Sequence, residues 1–173
     1  MTLTIAVRLS KIILVTIVAA FAIIVSFNNI VDYGSNFSFV KHVLSMDTTF
    51  EGNALMGRAI ESSALHHLAY WIIIAAEAIT GLLCAWGAFN LVAVLRESNS
   101  KFMKAKTAAT LGLTLGLLLW FGGFMVVGAE WFVMWQSDIW NGQQPAFRFA
   151  TLLFLTLIYL HLPESDELMY FFN

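Results

Sequence analysis

The sequence predicts an all-α integral membrane protein, a bundle of four transmembrane helices that forms one membrane domain. Of its 173 residues, 60% are hydrophobic and only 12% are charged, whereas about a quarter of the residues in soluble domains are charged. The apolar residues also gather into long runs, and about 20 residues suffice for a helix to cross the hydrocarbon layer. The spans are expected at approximately residues 7–27, 68–95, 107–130 and 147–162.

The first apolar run follows Arg8 and Lys11, a pattern that can open either a secretory signal peptide or a first spanning helix. Ala20-Phe21-Ala22 offers a small-x-small cleavage pattern. The run nevertheless continues to Phe27, and counted from Val7 it has the full length of a span. An uncleaved helix is therefore the favoured interpretation.

The segment 28–63 carries six charged residues and a polar cluster at 28–36, so it is expected to lie outside the membrane. Asn36 is a suitable N-cap for a short helix in which Phe37, Val40 and Leu44 share one face. Such a helix would lie on the bilayer surface or cap the bundle. The first outer loop is thus predicted to be partly helical.

Small residues line one face of the second predicted span and one face of the third. The glycines on these faces are Gly81, Gly87, Gly112, Gly116 and Gly123. Because small residues let two helices approach closely in a membrane, the sequence predicts that these two spans pack against each other. Counted with the α-helical period, Glu130 continues the face of the third span.

The loop between the second and third spans has the strongest charge bias in the chain. Its basic residues are Arg96, Lys101, Lys104 and Lys106. By the positive-inside rule this loop is cytoplasmic, and four spans then place both termini there as well. The next loop contains Trp131, Trp135 and Trp140, which are expected to lie in the headgroup layer rather than to form a ligand site.

Three ionisable residues are expected at a similar depth in the outer part of the bundle, from a rise of about 1.5 Å per residue. They are Glu77, Glu130 and Arg148, the last of which precedes a short apolar run. Two carboxylates repel each other unless one is protonated or a cation lies between them, so a Glu77–Arg148–Glu130 cluster is predicted. It would serve either as a charge staple that fixes helix register or as a functional polar pocket. His66 and Tyr70, on the Glu77 face, would extend such a pocket outward.

Metal and catalytic signatures are weak in this chain. His66 and His67 are adjacent, so their side chains point about 100° apart on a helix and do not readily bind one ion. The single cysteine, Cys84, excludes an internal disulfide and a cysteine zinc site. Hydrolase, phosphate-loop and zinc-protease motifs are lacking. No catalytic residue, metal or cofactor is expected, and a net charge of -2 argues against a nucleic-acid partner.

Several short motifs together resemble a known bacterial family, that of predicted small integral membrane proteins (domain of unknown function 2165). They are Asn28-Asn29, Asp32-Tyr33, Val43-Leu44-Ser45-Met46-Asp47, the Glu77 helix with Gly81, Gly128-Ala129-Glu130-Trp131-Phe132, Met134-Trp135-Gln136-Ser137, Trp140-Asn141-Gly142-Gln143 and Phe147-Arg148-Phe149. The resemblance extends over nearly the whole chain. It implies a multi-pass protein of the bacterial inner membrane, and it implies no chemistry.

Three functions are compatible with the sequence. The leading hypothesis is a non-enzymatic accessory subunit or scaffold, whose partners would be the bilayer and either another membrane protein or a second copy. It is favoured by the lack of catalytic motifs, the small extramembrane mass and the abundant apolar surface. The second is a binding or transport unit for a small solute or protons, centred on Glu77, Glu130 and Arg148. The third is a membrane metal or redox enzyme that uses His66 and the two glutamates.

Overall fold

A computed structural model describes residues 2–164 of the chain. The described residues are all-α and contain no strand. The helices are α1 (Leu3–Val31), α2 (Tyr33–Ser45), α3 (Ser63–Ala93), α4 (Asn99–Ala105), α5 (Thr107–Leu117), a π-helical segment (Leu118–Trp131) and α6 (Gln143–His161), with single 3-10 turns at Met56–Arg58 and Met134–Gln136. The C-terminal end, which was expected in the cytoplasm, lies outside the described residues.

Three helical stretches within residues 2–164 are long and apolar enough to cross a membrane. They are Leu3–Val31, Ser63–Ala93 and Asn99–Trp131. These stretches overlap the first three predicted spans, the second of which was expected to run two residues beyond Ala93, and the all-helical membrane class is confirmed. The fourth predicted span falls in α6, a 19-residue helix that is not among the three, and it stays a prediction.

The long helices pack side by side in the order α1, α3, α5, while α6 covers α5 and the π-helical segment. The main core between them contains Val15 of α1, Leu91 of α3, Leu113 of α5 and Leu153 of α6, together with Phe102 from α4. Apolar side chains on the outer faces stay exposed, as is expected where a helix faces lipid.

Glycines allow the closest contacts between the long helices. A Cβ atom on Gly87 would lie 2.4 Å from the backbone nitrogen of Ala109, and one on Gly112 would lie 2.7 Å from Cys84 Sγ, so α3 and α5 meet there. Gly116 faces Leu153 of α6 as well as Thr80 of α3. Since α3 lies between α1 and α5, it uses its glycines on two faces.

Two of the predicted packing glycines, Gly81 and Gly123, do not lie at the contact between α3 and α5. A Cβ atom on Gly81 would lie 2.6 Å from Ile23 Cγ1, so this glycine fits α3 against α1 rather than α5. A Cβ atom on Gly123 would have no neighbour closer than 3.9 Å.

The third long helix changes its winding at Leu118. From there to Trp131 it is π-helical, and the amide of Phe132 still donates to the carbonyl of Val127 at 3.0 Å. A π-helix bonds each residue to the fifth one along, so it holds more residues per turn than an α-helix. Positions after Leu117 therefore leave the face that an α-helical period assigns to them. This shift carries Gly123 and Glu130 away from the face of Gly112.

The segment 28–63 is partly helical, as predicted, although α2 begins at Tyr33, ahead of the expected cap Asn36. Val40 of α2 packs on Tyr70 and Ile74 of α3, so α2 covers the C-terminal end of α1 and the N-terminal end of α3. Asn36 lies in the second turn of the helix, where its amide is free to bond to α1.

Candidate functional site

Glu77 lies in the middle of α3 and is only 3% exposed. Its Oε2 accepts a hydrogen bond of 2.7 Å from Asn29 Nδ2, near the end of α1. The Asn29 Oδ1 in turn accepts a bond of 2.6 Å from Asn36 Nδ2 of α2. Two amides, one from α1 and one from α2, therefore connect the carboxyl group of Glu77 to α2.

The rest of the Glu77 carboxyl group has no partner among residues 2–164. Its Oε1 accepts no hydrogen bond, and no lysine, arginine or histidine in this part of the chain forms an ion pair with it. One turn further along α3, the fully buried hydroxyl group of Thr80 is also unpaired within the described residues. A buried carboxylate without a counter-ion is costly, so the group either carries a proton or meets a cation.

A cavity of about 270 Å³ opens beside Glu77. Its polar lining is supplied by Asn29, Asn36, Tyr70 and Glu77. Its other residues, most of them aromatic or aliphatic, are Val25, Phe39, Val40, Ile73, Trp120, Phe124, Gly142, Pro145, Ala146 and Phe149. Five elements thus contribute: the end of α1, the capping helix α2, α3, the π-helical segment and the first turns of α6.

Of the two residues predicted to extend the pocket, Tyr70 lines the cavity and His66 does not. The hydroxyl group of Tyr70 lines the cavity and donates to the carbonyl of Asn29 at 3.2 Å. His66 is buried, and its Nε2 donates to the carbonyl of Ile60 at 2.7 Å. His66 therefore ties the end of the outer loop to α3 and does not line the cavity.

Glu130 and Arg148 lie outside this site. Both are exposed, and neither forms an ion pair or a hydrogen bond within residues 2–164. The ion-paired Glu77–Arg148–Glu130 cluster expected from the sequence is not formed there. The π-helical winding turns Glu130 outward, and on α6 the buried residues Ala146 and Ala150 leave Arg148 on the opposite side.

The three loop tryptophans contact residues of the outer loop. The Arg58 guanidinium lies 4.5 Å from the ring of Trp131, Phe50 lies edge-on to Trp135, and His42 stacks on Trp140 at 4.8 Å. Trp131 and Trp135 are about half exposed. Their place in the headgroup layer stays a prediction.

At the opposite end of the molecule, a buried charge cluster was not expected from the sequence. Lys11 Nζ lies 2.7 Å and Lys106 Nζ 3.1 Å from the same oxygen, Oε1 of Glu164, and all three side chains are almost fully buried. Burial raises the pKa of the Glu164 carboxyl group, but the hydrogen bonds from both lysines outweigh it and hold this pKa below its ordinary value. An acidic residue just after the last apolar run was the only signal in the sequence.

Within the described part of the chain, no three histidine, cysteine, aspartate or glutamate side chains are grouped so that they could hold a metal ion. A carboxyl group, two amides and a phenol are thus the polar chemistry of the Glu77 site. This set can exchange a proton, or it can bind a small cation or a polar solute.

Comparison with curated proteins gave no match, and comparison with solved structures gave none. The family model described as predicted small integral membrane protein matches residues 7–163, which include nearly all of the helices described above. Its description agrees with the long apolar helices and names no reaction. The chain therefore belongs to the family of predicted small integral membrane proteins, domain of unknown function 2165.

Proposed function

We propose that this protein is a multi-pass binding unit of the bacterial inner membrane, in which the Glu77 cavity takes up a proton or a small polar solute from the outer side. One observation carries the proposal. The Glu77 carboxyl group is buried, has no counter-ion within residues 2–164, and lines a cavity. Ionisable groups in such surroundings often mark proton or solute paths.

The orientation rests on α6 as a fourth span. At one end of α6, Tyr159 bonds to Ser10 of α1 and His161 bonds to Thr110 of α5. At its other end, Ala146 lines the outer cavity. A helix of 19 residues is about 28 Å long, close to the hydrocarbon thickness of about 30 Å.

The basic residues then support a cytoplasmic position for the end opposite the cavity. Six of the nine belong to the start of α1 or to the loop around α4, namely Arg8, Lys11, Arg96, Lys101, Lys104 and Lys106. Arg8 itself donates to the carbonyls of Leu95 and Glu97 in that loop. By the positive-inside rule, both termini would be cytoplasmic and the Glu77 cavity would open outward.

The other hypotheses have less support. A charge staple needs a cation opposite Glu77, and the residues around it supply an amide instead. A metal or redox enzyme would draw on His66, which bonds to a loop carbonyl. An accessory subunit would use exposed apolar faces, but every spanning helix presents such faces to lipid, so these faces identify no partner.

Covalent labelling with dicyclohexylcarbodiimide tests the proposal. This apolar reagent adds to protonated carboxyl groups, so it should modify Glu77 in the folded protein and spare the exposed Glu130. Mass spectrometry of peptides locates the label. Labelling should fall as the pH rises, because the carboxylate form does not react.

The matched variants make the same chemical change inside and outside the cavity. Glu77→Gln should abolish the label, whereas Glu130→Gln should keep it. A folded protein that shows no label at Glu77 at any pH would refute the proposed function, and so would a label that reaches Glu130 as readily as Glu77.

A further inference from the structure

Aromatic rings form a large part of the wall of the cavity beside Glu77. Five rings line it: Phe39, Tyr70, Trp120, Phe124 and Phe149. They come from α2, α3, the π-helical segment and α6, so they surround the space from several sides. The rings also support each other, since Phe39 and Phe124 are stacked with centroids 6.1 Å apart, and Trp120 and Phe149 meet edge to face at 5.8 Å.

The electrostatic character of this lining is negative. Among residues 2–164, Glu77 is the only carboxyl group in the lining, and no lysine, arginine or histidine of these residues lines the cavity. The faces of aromatic rings carry partial negative charge and attract cations. A positively charged ligand therefore fits these walls better than an anion or a neutral sugar.

The walls also favour one kind of cation. Metal ions such as calcium and magnesium require six or more oxygen ligands at short distance, whereas this cavity combines one carboxyl group, two amides and a phenol with apolar surface. An organic ammonium ion spreads its charge over alkyl groups and binds aromatic faces well. At about 270 Å³ the space lies below the usual 300–1,000 Å³ of drug-sized sites, so the ligand is small.

We infer that the ligand of this cavity is a small organic ammonium ion, held by the Glu77 carboxylate and the surrounding aromatic rings. The inference rests on the proposed function and names its substrate class. Asn29 already bonds to Oε2 of Glu77, so Oε1 is the oxygen left to face the cation. Asn36 and Phe39 of α2, with Gly142 and Pro145 before and within α6, line the cavity as well.

Protection from carbodiimide labelling tests this inference in the purified full-length protein. Choline is the probe, and 3,3-dimethylbutan-1-ol is its neutral counterpart of the same shape. A bound cation should hold Glu77 ionised and shield it, so we expect saturating choline to slow labelling at least tenfold. The alcohol, and sodium chloride at the same concentration, should leave the rate unchanged.

Each other outcome has a distinct meaning. Label at Glu77 that choline does not slow would overturn the ammonium inference and leave the proposed function standing. Equal protection by the alcohol would show that shape alone is recognised, and equal protection by sodium would identify a metal-ion site, so either result would overturn the inference. No label even without choline would remove the proposed function itself.

A pair of ring substitutions tests the aromatic walls. Phe124→Leu keeps an apolar side chain but removes a ring face, and it should raise the choline concentration for half-protection about 3- to 30-fold, the range for cation–π contacts. Phe121→Leu, at an exposed position in the same helical segment, is the control and should change nothing. Equal half-protection in both variants would overturn the role of the rings.

Discussion

Lys11 and Lys106 share one oxygen of the Glu164 carboxylate at the end of the molecule opposite Glu77. The second oxygen, Oε2, has no partner within residues 2–164. The cluster joins α1, the start of α5 and the segment after α6, which lie far apart in the sequence. A buried group of two cations and one anion depends strongly on the anion, because its loss leaves two like charges without water or a counter-ion.

Glu164→Gln should therefore lower the free energy of unfolding by about 3–5 kcal/mol, as measured by unfolding in detergent micelles. Glu97→Gln removes the exposed partner of Lys101 and should cost no more than about 1 kcal/mol. Because the folded-state pKa of Glu164 lies below its ordinary value, its contribution is complete above about pH 4.3 and is lost as the pH falls through the folded-state pKa. Equal losses in the two variants would show that the buried cluster contributes no more stability than the exposed Glu97–Lys101 pair.

At the scale of the helices, the contact between α3 and α5 depends on glycines that face backbone rather than flexible side chains. Gly87 meets the backbone of Ala109, which cannot move aside without shifting the whole of α5. Gly116 meets the end of the Leu153 side chain, which can rotate. An alanine at position 87 should therefore cost more folding stability than an alanine at position 116, although both glycines lie on faces composed of small residues.

Gly87→Ala should destabilise the protein by about 1–3 kcal/mol, the usual cost of overpacking. Gly122→Ala is the control, since a Cβ atom there would have no neighbour within 4 Å. Thermal melting in detergent compares the two variants. Similar melting temperatures for Gly87→Ala and the unsubstituted protein would show that the two helices are not held as closely as described.

For the whole molecule, four spans with cytoplasmic ends would place the loop after α2 outside and the loop before α4 inside. The buried Cys84 leaves the surface free of reactive thiols among the described residues. Cysteines introduced by Glu51→Cys and Ser98→Cys, both at exposed positions, should label from opposite faces. In intact cells with a permeable outer membrane, an impermeant thiol reagent should modify the Glu51→Cys variant and spare the Ser98→Cys variant until the cells are lysed. If only the Ser98→Cys variant were labelled in intact cells, the orientation would be the opposite of the one proposed. If both variants were labelled, the two loops would lie on the same side, and the arrangement of four spans would be wrong.

The sequence by itself determined the class of this protein. The free energy of transferring a segment from water to lipid depends on the hydrophobicity and length of that segment, and both can be read from the sequence. It also determined the family, the three longest apolar helices and the partly helical segment between the first two of them. Gly87, Gly112 and Glu77 are buried in the structure, and an α-helical period assigns each of them to the same face as other small residues over a few turns.

Only the tertiary structure decided which side chains meet. The π-helical winding after Leu117 moves Gly123 and Glu130 to a different side of the helix. A 3.6-residue period does not predict where such a change of winding occurs. The partner of Glu77 proved to be Asn29 rather than Arg148, because the choice depends on how α1 and α2 approach α3. The Lys11–Lys106–Glu164 cluster likewise joins three distant segments. Composition and periodicity describe one helix at a time, whereas a buried polar contact is a property of the helices packed together.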